Sequence, residues 1–186
     1  MARPAILAAL TVLIAILAAG CTGTPSPGTQ PVPNATLVVN GTTSVTLDYQ
    51  EVLALPAVTG VGGAVSTTGI KYGPFRIRGV ALSTLADLAG GMGADQTMRV
   101  HAPDGYMWVI DRERVDGHGF VVLTPELKEI ASPPTLVPVL MYEQNGTSLS
   151  KEQGGPFRIA VLDPAGSPVI TEGSGWVKWV DRIEIR

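Results

Sequence analysis

The chain has 186 residues, a formal net charge of −3, a single cysteine and two histidines. That length accommodates one domain with a full hydrophobic core. The mildly acidic composition has no basic patch, which argues against nucleic acid as a partner. A single cysteine excludes a disulfide within the chain.

Residues 1–20 are predicted to be a lipoprotein signal peptide. Arg3 supplies a short positive region, and the apolar run 5–19 has signal-peptide length, at the lower limit for a membrane span. Small residues precede Cys21 in "LAAGC", although Ala18 stands where leucine is more typical. This pattern predicts cleavage before Cys21 and a lipid on its sulfur. The alternative is an uncleaved signal anchor.

Residues 21–34 predict a tether, because proline, glycine, threonine and serine alternate there without apolar periodicity. At roughly 3 Å per residue it would hold a domain about 40 Å from a membrane. We therefore expect residues 35–186 to form an extracytoplasmic domain that its lipid anchors to the cell membrane. Whether a protein partner binds at the membrane surface is left open.

The first half of the domain carries strong local signals. A hairpin is predicted about Asn40-Gly41, in "ATLVVNGTTSVTL". Asp48 and Glu51 form a capping box that begins a short helix. The run "VTGVGGAVSTTG" is predicted to be a loop, and "IKYGPFRIRGV" a strand. The next helix, in "ALSTLADLAGG", has Ser83 as its predicted N-cap and Gly90 at its end.

The second half predicts a hairpin about Asp104-Gly105 and a short helix in "TPELKEIA", with Thr124 as its cap. A buried strand then ends at an Asn145-Gly146 turn, and two more strands lie in "GGPFRIAVLD" and "GWVKWVDRIEIR". Short helices scattered among many strands indicate an α+β fold with mixed β-sheets.

The final predicted strand places a lysine between two tryptophans. Alternation with a period of two puts Trp176 and Lys178 on one face, and Val177 and Trp179 on the other. Lys178 is then either a solvated edge residue or the holder of an anion beside an aromatic wall.

No catalytic constellation and no metal site is predicted. His101 and His118 are far apart and lack the spacing of metal ligands, so each is predicted to be a surface or turn histidine. No Ser–His–Asp signature occurs. The glycine-rich run 58–69 lacks the lysine of a phosphate-binding loop.

Four stretches in order resemble the molybdopterin-binding domain of the sulfite oxidase family, in its small single-domain form. They are "DYQEVLALP", "FRIRGVALSTLADLAG", "VLMYEQNGTSLSKEQGGPFRIAVLD" and "WVKWVDRIEI". The resemblance covers most of residues 35–186. It implies an α+β fold with mixed sheets and short helices, and molybdopterin as the cofactor.

The resemblance also implies a cofactor site. In the family, the lysine of the "VKW" run and the arginine after the Gly-Pro turn lie near the cofactor phosphate, which implicates Lys178 and Arg158. Lysine offers a point charge and arginine a planar fork of donors. Trp176 would supply an apolar wall. The alternative is that Arg158 pairs with a carboxylate such as Asp163 or Glu172.

The chain departs from the family at the metal. Catalytic members bind molybdenum through a cysteine in the segment that corresponds to 57–69, which has none. Ser174 and Gly175 stand where members carry a basic residue. Three interpretations follow: a molybdopterin-binding protein without turnover, a degenerate ligand- or protein-binding module without redox chemistry, and an oxidoreductase with a cysteine-free site. If the first interpretation holds, Arg158 and Lys178 should lie in one concavity, with the segment 57–69 at its rim.

The predicted anchor is tested by Cys21→Ser. We expect this substitution to block processing of the signal peptide or to release the processed domain from membranes. Membrane fractionation and the intact mass of the mature chain measure both effects. An unchanged membrane fraction together with an unchanged mature mass would favour an uncleaved anchor.

Overall fold

A computed structural model describes residues 34–186. The predicted signal peptide, Cys21 and the tether up to residue 33 lie outside the described residues, so the lipid anchor stays a prediction. Within the part of the chain that the structure describes, no helix has the length and apolar character needed to cross a membrane.

The described residues form mixed β-sheets with a few short helices, which confirms the predicted α+β class. In chain order the elements are β1 (Thr36–Asn40), β2 (Ser44–Asp48), α1 (Tyr49–Ala54), β3 (Ala57–Val65), β4 (Lys71–Ala81), α2 (Leu82–Leu88), β5 (Thr97–His101), β6 (Met107–Asp111), α3 (Arg112–Val115), β7 (Val137–Gln144), β8 (Thr147–Ser148), β9 (Arg158–Leu162), β10 (Ile170–Glu172), a 3-10 helix (Gly173–Gly175) and β11 (Arg182–Ile185).

The two sheets have different strand orders. The first, sheet A, has the order β2-β1-β11-β5-β6, and its β1–β11 pair is parallel. The second, sheet B, has the order β10-β3-β4-β7-β8, and β9 also pairs with β7. One face of sheet A packs with α1, α2 and parts of β7 and β9 in the main hydrophobic core. Burial of this apolar surface is the chief stabilising term.

Local turn and capping chemistry is confirmed. Strands β1 and β2 form the predicted hairpin at Asn40-Gly41, and β5 and β6 form the one at Asp104-Gly105. The Asp48 carboxylate accepts the Glu51 N–H at 2.8 Å, and the Glu51 carboxylate accepts the Asp48 N–H at 2.8 Å. This reciprocal pair satisfies two donors at the start of α1.

The predicted loop 58–69 was wrong, because most of it is strand β3. A Cβ on Gly60 would stand 2.3 Å from the Asp163 carbonyl oxygen, and one on Gly62 would stand 2.2 Å from that of Val161. The glycines therefore allow close approach of the backbone at the end of β9, which is a recognised use of glycine inside a strand. Only the turn at 66–69 is irregular.

Two helix predictions also need correction. Helix α2 forms, but its N-cap position is Ala81 rather than Ser83, and it has no side-chain cap. The run 124–131 is not a helix. The Thr124 hydroxyl oxygen accepts the Lys128 N–H at 3.4 Å, and the Thr124 N–H donates to the Lys128 carbonyl at 2.8 Å. These bonds close a tight turn, in which Leu127 has a φ of 61°.

The predicted final strand is shorter than expected. Regular structure is limited to β11, and residues 176–181, which we call the linking segment, are irregular. Trp179 in its middle has a φ of 55°, which breaks strand geometry. The expected alternation therefore fails, and the neighbours Trp176 and Val177 are both buried.

The close approach at β3 predicts a large effect of one methyl group. Gly62→Ala should lower the free energy of unfolding by about 2 kcal/mol or more, since its Cβ overlaps a backbone oxygen that has no room to move. Urea denaturation measures this change. Gly93→Ala is the matched control, because its Cβ would meet nothing closer than 3.5 Å. Equal losses for the two variants would contradict the packing argument.

Candidate functional site

A cavity of about 610 Å³ opens where sheet B, the β5–β6 turn and the linking segment meet. Its walls combine aromatic rings with a few charged groups. The aromatic lining residues are Tyr72, Phe75, Tyr106, Trp176 and Trp179. This volume and this kind of lining are typical of small-molecule sites.

The structure brings the three sequence-predicted site residues together. Arg158, Lys178 and Trp176 all line this cavity, although they come from β9 and from the linking segment. The end of the 57–69 stretch is also part of the lining, through Ser66 and Thr67. Binding of a cofactor by these residues stays a prediction.

Arg158 carries a charge that has no counterion within the described residues. Its guanidinium carbon lies 5.4 Å from the centre of the Trp176 ring, and its Nη1 donates to the Gln153 carbonyl at 3.1 Å. Its Nε is buried and has no hydrogen-bond partner among residues 34–186. Burial lowers the pKa of Arg158 from its ordinary value.

The predicted pairing of Arg158 with a carboxylate is not observed. The Asp163 carboxylate instead accepts the N–H groups of Ala165 and Ser167, at 2.8 and 3.2 Å. Glu172 is exposed and forms no salt bridge within the described residues. The cation therefore rests against an aromatic face, which attracts it through the ring quadrupole.

Trp176 is held rigidly beneath Arg158. Its indole N–H donates to the Thr171 hydroxyl at 3.0 Å, and that hydroxyl donates to the Gly63 carbonyl at 3.4 Å. The ring is 4% exposed. Gly175, just before it, packs against Trp108, where a Cβ would stand 2.8 Å from the ring. Trp176 thus forms a fixed wall of the cavity.

Lys178 stands at the accessible part of the cavity. Its side chain is exposed, and its ammonium group lies 5.7 Å from the centre of the Trp179 ring. Its stem packs on Gly154, where a Cβ would stand 2.5 Å from the Lys178 Cγ. Trp179 is fixed in turn, because its indole N–H donates to the Lys151 carbonyl at 2.8 Å. Lys178 is therefore a positioned cation at a cavity, not an edge-strand charge.

Two carboxylates balance the two cations of the lining. Asp104 and Glu152 both line the cavity. The Asp104 carboxylate accepts the Tyr106 N–H at 2.9 Å. A hydrogen bond from its own backbone N–H lowers the pKa of Glu152. The two cations differ in burial, because Arg158 is largely enclosed whereas Lys178 is exposed.

Tyr106 and Gln144 are among the lining residues that sequence reasoning missed. The Tyr106 hydroxyl donates to the Ser174 carbonyl at 2.9 Å and ties the β5–β6 turn to the 3-10 helix. Gln144 lines the cavity from the end of β7. The contact between Tyr106 and Ser174 spans 68 residues, and no local pattern signals such a distant pairing.

The histidines lie away from this cavity. His101 is on β5, where its Nε2 lies 3.7 Å from a Glu184 carboxylate oxygen, and His118 is exposed. Residues 34–186 contain no group of three histidine, cysteine, aspartate or glutamate side chains placed to hold a metal ion.

Comparison with known proteins supports the fold. No protein-family model matches the chain, and no curated protein sequence matches it. Among solved structures it is similar to the sulfane dehydrogenase SoxCD from Paracoccus pantotrophus, with 20% identity and a TM-score of 0.57. The likeness covers 81% of this chain and 38% of that chain, so this chain spans well under half of its neighbour. It supports a distant sulfite oxidase-like fold.

The buried hydrogen bond of Trp176 predicts a contrast between two tryptophans. Trp176→Phe should lower the free energy of unfolding by about 2 kcal/mol, because it removes a buried hydrogen bond and leaves unfilled space. Trp179→Phe, the same substitution at a more exposed ring, should cost less than about 1 kcal/mol. Urea denaturation of both variants measures the contrast. A larger loss for Trp179→Phe would show that the wall is fixed in another way.

Proposed function

We propose that this domain binds a ligand that combines a flat ring system with an anionic group, and that the ligand is molybdopterin, as the resemblance implies. The observation that carries the proposal is the guanidinium of Arg158, which is largely buried and, among residues 34–186, has no counterion and an unpartnered Nε. A buried charge without a partner is costly, so an anion bound at this position would relieve the cost.

The residues present fit the phosphate and pterin parts of such a ligand. Arginine and lysine are the usual phosphate partners, and Arg158 and Lys178 line one cavity. Trp176 and the other aromatic walls offer faces for a flat ring. In this role Arg158 holds the anion, Trp176 excludes water beneath it, and Lys178 adds a second charge at the accessible side.

The residues do not fit a thiolate-bound metal. The only cysteine is Cys21, which precedes the tether, and residues 57–69 have none. The proposal therefore includes binding and orientation of the ligand and no redox step. The third interpretation, an oxidoreductase, therefore lacks the cysteine ligand that a metal would need in residues 57–69.

A second candidate is a binding module on the same fold that takes a different ligand. The observation that favours it is the balance of charge in the cavity, where Asp104 and Glu152 offset Arg158 and Lys178. Such a lining suits a ligand that carries both signs of charge. In either case we propose that the domain works outside the cytoplasm, held at the membrane by a lipid on Cys21.

The cofactor content of the protein from its own host decides between the two candidates. We expect the purified full chain to hold about one pterin per chain, measured by fluorescence after oxidation and release. Arg158→Ala should lose most of the pterin, whereas Arg76→Ala, an exposed arginine outside this cavity, should keep it.

Molybdenum and tungsten are measured in the same samples by mass spectrometry. A folded wild-type protein without any pterin, from a host that makes the cofactor, would contradict the proposal and favour the second candidate. Equal pterin in the wild type and Arg158→Ala would place the ligand elsewhere.

A further inference from the structure

Gln144 is a buried polar residue whose side-chain oxygen has no hydrogen-bond partner among residues 34–186. It is 8% exposed, ends β7 and lines the cavity. Its Oε1 is buried without a hydrogen bond, and its side chain forms no hydrogen bond in the part of the chain that the structure describes. Folded proteins keep few such groups, and each one needs an explanation.

The surroundings of Gln144 are apolar. It lies opposite Ile77 on β4, so the two side chains share one face of sheet B. Ile77 belongs to a buried cluster that also contains Leu149 and Trp176. An apolar residue would suit this position better for stability alone, which points to a role in binding.

The amide of Gln144 is free to present either of its polar ends. Glutamine carries an acceptor oxygen and a donor NH₂ on one planar group, and rotation about its last torsion exchanges them. Because no hydrogen bond within residues 34–186 fixes the group, this rotation breaks none. Gln144 can therefore match a ligand edge that carries an N–H group beside a carbonyl.

The distance between Gln144 and the anion-binding residue constrains the ligand. Arg158 is in register with Met141 of β7, three residues before Gln144. A register shift in β7 places Gln144 opposite Ile77 and Met141 opposite Gly79, which are two residues apart on β4. At about 3.4 Å per residue, the two positions lie about 7 Å apart along the strand. On this spacing, a ligand that reaches both positions would carry its anionic group about 7 Å from its polar ring edge.

We infer that Gln144 is a specificity-determining residue of this cavity, which recognises the N–H and carbonyl edge of a heteroaromatic ring whose anionic substituent lies at Arg158. The ligand class is that of anionic pteridines and other rings with a cyclic amide edge. This inference rests on the proposed function and adds the residue that recognises the edge of the ring.

Two matched probes test the inference on the detergent-solubilised full chain. Lumazine-6-carboxylate has ring N–H groups at N1 and N3, whereas 1,3-dimethyllumazine-6-carboxylate is a flat anion with both of these replaced by methyl groups. Isothermal titration calorimetry gives their dissociation constants. The wild type should bind the first about tenfold more tightly, the discrimination expected for one good hydrogen bond.

The substitution Gln144→Leu should abolish that preference while the dimethyl probe still binds. Its melting temperature should equal or exceed that of the wild type, since leucine removes an unsatisfied polar group. Gln144→Met serves in the same way if the leucine variant does not fold. Gln96→Leu is the matched control, because Gln96 lies outside the cavity and should leave the preference unchanged.

The outcomes separate this inference from the proposed function. Equal binding of the two probes by the wild type, or a preference that survives in Gln144→Leu, would overturn the role of Gln144 and leave the anion site standing. Arg158→Ala should weaken both probes alike. Failure of both probes to bind the wild type would overturn the proposed function and the inference with it.

Discussion

The linking segment 176–181 is the part of the molecule on which the rest of the site depends. Its backbone bonds to both sheets. The Val177 carbonyl accepts the Ile159 N–H from sheet B at 2.8 Å, and the Asp181 carbonyl accepts the Val38 N–H from sheet A at 2.9 Å. The first of these bonds joins two buried residues, where the low local dielectric strengthens it. One irregular stretch therefore bonds to both sheets and carries four cavity-lining residues, Trp176, Val177, Lys178 and Trp179.

Irregular backbone gives this segment a function that a strand would not perform. In a strand, Trp179 would point away from Trp176 and Lys178, on the opposite face of the sheet. The positive φ of Trp179 brings all three to the same cavity. Residues held in sparsely populated backbone regions cluster at functional sites, and the surrounding hydrogen bonds stabilise them. Trp176, Lys178 and Trp179 thus form one preformed surface of the cavity.

The sequence predicted the features that depend on neighbouring residues. The capping box of Asp48 and the Asp104-Gly105 turn depend on contacts within a few positions, so local sequence patterns predict them. Strand β3 was missed because its glycines are needed for close contact with the backbone at the end of β9, about 100 residues later in the chain. In the site, resemblance pointed to Arg158 and Lys178, but no local signal marks Tyr106 or Gln144. Those residues reach the cavity through pairing between distant strands, and no local pattern in a single sequence predicts such pairing.

Strand β11 lies in the centre of sheet A, between β1 and β5, although it follows both in the sequence. During synthesis, both neighbours must wait for residues 182–185 before they gain their shared partner. Pairings between distant segments are also slow to form, because the intervening chain must first be ordered. The cavity lacks Trp176 and Lys178 throughout that interval. The cavity is therefore completed only after the C-terminal strand has been synthesised.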